Sequence, residues 1–288
     1  MKILIISKFF PPENAVGGLR PSSWAKYWSA AGHEVQVLTT PKEPSDAVSN
    51  EIYKNYEVIE IEIGGVYLLL RKFYRKFIKS NNQMSSVNKI ENKSGPHQKN
   101  FMTRLLRKCW NYLVSRGLNT SSRMPDPTDF WIKPASNWAL AQNKKWDLII
   151  STFGPYSCHL IAKNIKKKSP KTFWIADFRD IWTLSHVTKG IPPFTLLENI
   201  LEKSIMKKAD LITIVSDPLT EQLSLKYPKS NIATIENGFD LDDLKQLPKE
   251  NIFEDKSKLR ILYTGSIYEG KRDPSPLFEA IKNIKEID

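Results

Sequence analysis

The 288-residue chain carries 43 Lys and Arg against 31 Asp and Glu, a formal net charge of +12 with a pI near 9.5, and its 41% hydrophobic and 11% aromatic content supports a sizeable core and excludes wholesale disorder. Two cysteines, four histidines and no C-x-x-C exclude a disulfide framework and point away from a structural zinc site. The first apolar run, Ile3 to Ile6, is cut short by Lys8 and Pro11-Pro12, and nothing approaches the ~20 apolar residues of a membrane span, which makes a soluble, reduced, cytoplasmic protein the expectation.

Lys2-Ile-Leu-Ile-Ile-Ser7 reads as a buried strand. A loop with Gly17-Gly18 follows, then a helix capped by Ser22 or Ser23, with Trp24, Tyr27, Trp28 and Ala31 on its apolar face and Gly32 as its stop. Residues 35–39 are the next strand, so the opening is a βαβ unit with parallel pairing and a right-handed crossover. Residues 56–63 alternate like a half-exposed strand. Twelve bases then fall between Val66 and Arg116 against one acid, Glu91, so this insertion (about 66–118) carries +11 and the rest of the chain is balanced. Its Asn/Ser/Lys-rich middle, 80–100, predicts a mobile loop. Beyond it come a strand at 148–152, a helix at 156–167 and a strand at 172–176. A helix at 194–208 and a strand at 211–215 follow, then a helix opened by Asp217-Pro218 and a strand at 232–235. The whole is a doubly wound parallel α/β domain over 1–240. A polar linker, 241–258, leads to a new unit at 259–288, with a strand at 260–264 and a helix at 274–287. One strand and one helix bury too little to fold independently, so this unit docks on the first domain or is a fragment of something larger.

The dinucleotide fingerprint G-x-G-x-x-G is absent. Gly265-Ser-Ile-Tyr-Glu-Gly270-Lys271 fits G-x-x-x-x-G-K, but Arg272 stands where a hydroxyl should hold magnesium and Pro274 and Pro276 crowd the helix start. What remains is a glycine-bearing turn that presents Lys271 and Arg272 near a helix N-terminus, suited to a diphosphate, or an ordinary βα turn. Gly17, Gly18 and Arg20 lie in the first βα loop, where open α/β sheets bind ligands; a structural turn is the alternative. Asp177-Phe-Arg179-Asp180 starts where a strand ends. One carboxylate can accept a proton from a hydroxyl while Arg179 fixes geometry, or the three form an ion-pair cluster that caps the next helix. Gly154 and His159 sit at another strand end, with His159 facing the same cleft or serving the core.

Residues 66–79 place Val66, Tyr67, Leu69, Leu70, Phe73 and Phe77 on one side of a helical wheel and Arg71, Lys72, Arg75, Lys76 and Lys79 on the other. This is the composition of a helix lying on an anionic membrane surface; the alternative is a helix packed on the sheet with a basic rim. No recognition motif accompanies the charge, so nucleic acid is not an expected partner.

Several segments in order resemble glycosyltransferase family 4, in its N-terminal domain group found in bacterial capsule, O-antigen and exopolysaccharide clusters. They are Phe9-Phe-Pro-Pro12 with Gly17-Gly18, Ala31-Gly-His-Glu-Val35 and Ala176-Asp-Phe-Arg-Asp-Ile-Trp182. Ala209-Asp-Leu-Ile-Thr-Ile-Val-Ser216, Glu236-Asn-Gly-Phe-Asp240 and Tyr263-Thr-Gly-Ser266 with Lys271-Arg-Asp273 complete the set. The resemblance implies a GT-B architecture, two Rossmann-like domains across a cleft, with retaining, metal-independent transfer and no cofactor. Its donor would be a nucleotide-sugar and its acceptor a lipid-linked saccharide, at the inner face of the cell membrane. On this chain it implies that Gly17 and Gly18 approach the sugar or acceptor. Asp177 to Asp180 would form the polar active-site segment, Asn237 and Gly238 would line the interdomain cleft, and Gly265, Lys271 and Arg272 would open the donor-phosphate site. Ser266 replaces an arginine common in relatives, and the family's ribose-binding glutamates would lie beyond Asp288. The expectation is therefore a truncated second domain, with little activity unless a partner chain supplies the rest. The alternative in a different class is a non-catalytic, membrane-associated module that holds an acceptor or a partner enzyme.

Overall fold

In the computed structural model the described residues are 1–42, 55–65, 101–118, 120–142, 145–185, 188–240, 260–265, 267 and 273–284. They fall into two units, Met1–Gly238 and Phe239–Asp288. The candidate membrane helix at 66–79, the linker at 241–258, and Ser266, Lys271 and Arg272 lie outside the described residues.

The first unit grows from the β-branched run Lys2–Ile6, strand β1, whose Ile5 is in parallel register with Val37 on one side and Ile150 on the other. Those neighbours are β2 (Glu34–Thr39) and β4 (Leu148–Thr152). With β3 (Glu57–Glu60), β5 (Phe173–Phe178), β6 (Leu211–Ile214) and β7 (Ile232–Thr234) they form one seven-stranded, wholly parallel sheet in the order β3-β2-β1-β4-β5-β6-β7. The order reverses between β1 and β4, and in such a sheet the crevice outside the carboxyl ends at that point is where ligands bind.

Parallel strands need helical crossovers, and these cover both faces. Helix α1 (Val16–Ala30) packs Ala25, Trp24 and Trp28 over Ile3, Ile5 and Val37. On the opposite face lie α3 (Asp129–Ala141), α4 (Ser157–Lys168), α5 (Phe194–Lys208) and α6 (Asp217–Lys226). They contribute Trp131, Ile161, Ile205 and Leu223 to a core with Ile149 and Trp174. Helix α2 (Phe101–Ser115) forms the last part of the basic insertion. In the second unit α7 (Ser275–Asn283) forms, and the described residues 260–264 are in no strand.

Three local differences from the sequence-based expectations bear on function. Helix α1 begins at Val16 rather than at Ser22, so Gly17, Gly18 and Arg20 sit in its first turns; Ser22 and Ser23 donate to the carbonyl of Leu19 instead of capping. Strand β5 runs on to Phe178, because Asp177 and Phe178 pair with Thr213 and Ile214 of β6, and Asp177 is therefore a strand residue. Helix α3 has no counterpart among the expected elements. Its Trp131, Ala135 and Ala139 recur at helical spacing on the buried side, and Pro134 sits inside it. Gly32 ends α1 as expected, at φ 84°.

Candidate active site

Parallel register builds the floor of the site. Thr152 of β4, Asp177 of β5 and Thr213 of β6 are adjacent partners on the face that carries α1, at the carboxyl edge of the sheet. All three are buried, Asp177 at 0% exposure. Its Oδ1 accepts hydrogen bonds from the Thr213 hydroxyl at 2.7 Å and from Arg20 Nη2 at 3.0 Å. Asp177 Oδ2, Thr152 Oγ1 and Arg20 Nε are buried without a hydrogen-bond partner among the described residues. Burial pushes the Asp177 carboxyl above its ordinary pKa, while Arg20, Thr213 and Arg179 pull it back.

Because α1 begins at Val16, Arg20 projects from its second turn across the crevice. One side of its guanidinium binds Asp177. The other donates to the Glu236 carbonyl at 2.8 Å and to Asn237 Oδ1 at 3.4 Å. One side chain thus ties the first helix, β5 and the segment after β7 together, and stands 5.3 Å above the Trp24 ring.

Arg179 does a comparable job on the β4 side. Nε donates to the Phe153 carbonyl at 3.0 Å, and Nη2 to the Phe153 and Gly154 carbonyls at 2.6 and 3.2 Å. Two glycines make room for it. A Cβ on Gly17 would lie 2.9 Å from Arg179 Nη1 and 2.8 Å from the Phe9 ring, and one on Gly154 would lie 3.2 Å from Nη2. Gly154 also has φ 76°, which favours glycine. Gly18 is buried against the Phe10 backbone. Asp180, next along the chain, is exposed.

The sequence-predicted residues separate accordingly. Gly17, Arg20, Gly154, Asp177, Arg179 and Asn237 come together at the switch point, with Asp180 at its edge. Gly238 lies next to Asn237 with open space around it. His159 does not join them. It is 0% exposed on the opposite side of the sheet, between Phe153 and Phe178, with Nδ1 2.8 Å from the Ser151 hydroxyl. Burial first, and then the charge of Arg179, lower its pKa to about 3, so it is a neutral core residue at ordinary pH. Gly265 belongs to the second unit. Sequence reasoning missed Thr152 and Thr213, which only strand register brings beside Asp177. It also missed Lys42, which follows β2 and pairs with Glu13 at 3.0 Å beside the same strand ends. Among the described residues there is no cluster of ligating side chains fit for a metal ion.

A doubly wound, parallel α/β domain, Rossmann-like, with arginines and carboxylates gathered where the strand order reverses, is the class that the fold and site define. No family model and no curated protein matches the chain. Among solved structures it is similar to sucrose-phosphate synthase from Thermosynechococcus elongatus, at 13% identity and a TM-score of 0.48 over 84% of this chain and 49% of that one. It is also similar to UGT89C1 of Arabidopsis thaliana complexed with UDP-L-rhamnose, at 14% identity and a TM-score of 0.42 over 84% of this chain and 50% of that one. The chain thus spans about half the length of these two proteins.

Proposed function

We propose that this chain is the acceptor-side part of a GT-B glycosyltransferase. It would work with a donor-binding domain that begins in residues 259–288 to move a sugar from a nucleotide-sugar to a lipid-linked saccharide of a bacterial surface polysaccharide. The observation that supports this reading is convergence. Three segments that resemble family 4 and lie far apart in the chain (Gly17-Gly18, Asp177 to Asp180, Glu236 and Asn237) meet, together with Arg20 and Gly154, at the carboxyl ends of β1, β4, β5 and β7.

The two carboxylates take different parts. Asp177, buried and bonded to Arg20 and Thr213, is a positioning residue: it holds α1 and the segment after β7 in place. Asp180 is exposed and free to approach an acceptor hydroxyl, where it would accept the proton as the glycosidic bond forms. Arg179, fixed by two carbonyls and flanked by glycines, offers a preorganised cation to an acceptor diphosphate or to the charge that develops on the departing nucleotide. Retention and metal independence belong to the same proposal.

The test is calorimetric titration of the chain with a short-chain polyprenyl-diphosphate disaccharide, followed by transfer assays with nucleotide-sugars and a separately supplied donor domain. Binding that falls at least about tenfold in Arg179→Ala, a charge-assisted contact of about 1.5–3 kcal/mol, together with transfer abolished in Asp180→Asn at undiminished binding, supports the reading. Absence of acceptor binding, or full transfer in Asp180→Asn, refutes it.

A further inference from the structure

A second surface lies away from the strand ends, on the outside of the layer α3–α4–α5. The three helices are neighbours: Asn164 Nδ2 of α4 donates to Ser136 Oγ of α3 at 3.1 Å, and Lys163 Nζ of α4 reaches Ser204 Oγ of α5 at 3.4 Å. Together they carry eight lysines and only three acids. None of the three acids offsets the outer charge. Glu198 is buried against Arg123 at 3.0 Å, and Glu202 is buried against Lys226 at 2.9 Å. Asp129 accepts a hydrogen bond from the Tyr156 hydroxyl. The outward lysines Lys133, Lys167, Lys168, Lys203, Lys207 and Lys208 are exposed and make no ion pair among the described residues.

Helix α5 is also inverted in polarity. Its acids point inward, while Leu196, Leu197 and Ile200 stand 68%, 42% and 57% exposed, on the same helix as Lys203 and Lys207. Between α3 and α4 an open groove of about 320 Å³ is lined by Lys133, Lys167 and Lys168 beside Ile132 and Leu140. A surface in water gains nothing from exposed aliphatics that continue along one helix into unpaired lysines; an anionic bilayer uses both. Aliphatic side chains enter the headgroup boundary, and each lysine near the surface contributes about 1 kcal/mol of attraction. A nucleic acid or other hydrophilic polyanion would use the lysines and leave the leucines in water.

We propose that the outer face of α3–α4–α5 docks on an anionic lipid surface. The lysines of the α3–α4 groove and of the C-terminal half of α5 take lipid phosphates, and Leu196, Leu197 and Ile200, in the N-terminal half of α5, insert into the headgroup boundary. This surface is separate from the candidate active site, and it does not depend on the proposed activity. The partial desolvation of Lys163, whose pKa is lowered by burial and by neighbouring Lys208 and Lys167, accords with the density of charge there.

The test is co-sedimentation of the full chain with vesicles of phosphatidylglycerol in phosphatidylcholine, against phosphatidylcholine alone. Heparin binding is measured in parallel. At about 1 kcal/mol per lysine, or about fivefold each, Lys167→Ser/Lys168→Ser/Lys207→Ser should weaken anionic-vesicle binding about a hundredfold. Leu196→Ser/Ile200→Ser should weaken vesicle binding about tenfold or more and leave heparin binding unchanged. All five positions are exposed, so the variants should stay folded, and thermal melts check that they do. Vesicle binding of the lysine variant within about twofold of wild type would overturn the proposal. So would a loss confined to a variant with Arg71, Lys72, Arg75 and Lys76 replaced by Ser. Equal heparin and vesicle losses in the lysine variant, with none in the Leu196/Ile200 variant, would make the face a plain polyanion site and also overturn it.

Discussion

Removing Arg20 should cost this fold more than most surface-accessible arginines would. Its side chain is 10% exposed and that of Asp177 is 0%, so Arg20→Ala leaves a carboxylate in the interior without its cation. Stranding a buried charge costs about 3–5 kcal/mol. Neutralising Asp177 with a proton instead costs about 4 kcal/mol at pH 7, since each unit between the pH and the ordinary carboxylate value is worth about 1.4. Loss of the bonds to Glu236 and Asn237 adds about 1 kcal/mol. The expected destabilisation is thus about 4–5 kcal/mol, a large part of the 5–15 kcal/mol typical of a domain. It should depend on pH. Without Arg20 the native-state pKa of Asp177 rises further above its unfolded value, so the native state holds a proton that the unfolded chain releases. Stability of the variant therefore increases relative to wild type as pH falls from 7 toward 4, by up to about 1.4 kcal/mol per unit. The double variant Arg20→Ala/Asp177→Asn removes the stranded charge and should be more stable than Arg20→Ala alone. Urea melts of the three proteins at pH 7 and 5 measure all of this. A loss below about 1 kcal/mol for Arg20→Ala, or a gap that does not narrow at pH 5, refutes the view of Asp177 as a buried, arginine-held anchor.

His159 makes the opposite pH prediction. Its folded pKa of about 3 keeps it neutral while the unfolded chain takes up a proton below about 6.5, so it lowers stability progressively as pH falls between those values. Wild type should lose about 2 kcal/mol relative to His159→Gln between pH 7 and 5 in urea melts; parallel curves would contradict it. Gly154→Ala and Gly32→Ala both place a side chain at positive φ, but only the first meets Arg179. Gly32→Ala should cost about 1 kcal/mol, and Gly154→Ala should cost more and also weaken acceptor binding, read by melting and titration. Glu198→Ala should cost about 3–5 kcal/mol by chemical denaturation, because it leaves Arg123, 3% exposed, without its carboxylate. A loss under about 1 kcal/mol would mean that the pair is solvated.

The periodic parts of this molecule are legible in the amino-acid sequence alone. The run of isoleucines in β1, the strand–helix–strand order of the opening and helix 194–208 follow from hydrophobic spacing and local stops, and β1 and helix 194–208 coincide with their expected bounds to within a residue or so. What is not legible depends on pairing or on tolerance. Helix α3 carries Pro134, yet Trp131, Ala135 and Ala139 still bury its inner face against the sheet, so tertiary packing outweighs the lost hydrogen bond. The start of α1 is masked by Gly17-Gly18. Gly17 is in the helix because a side chain there would strike Phe9 and Arg179, the latter a contact across more than 150 residues of chain that no local pattern announces.

The candidate site shows the same division most sharply in its two aspartates. In sequence, Asp177 and Asp180 are equivalent carboxylates flanking Arg179, and either can be given the acid–base part. What separates them is where β5 stops, and β6 decides that. Thr213 and Ile214 pair with Asp177 and Phe178, which carries the strand past the first aspartate and buries it, while the second falls in the turn and stays in solvent. Once Asp177 is interior, Arg20 must come to it, and the rest of the Arg20 guanidinium is then spent on the segment after β7. The motif therefore divides into an anchor, a fixed cation and an exposed carboxylate. Kinetics can test this division: Asp177 substitutions should act through stability and geometry and respond to compensation at Arg20, whereas an Asp180 substitution should act on turnover and have no such rescue.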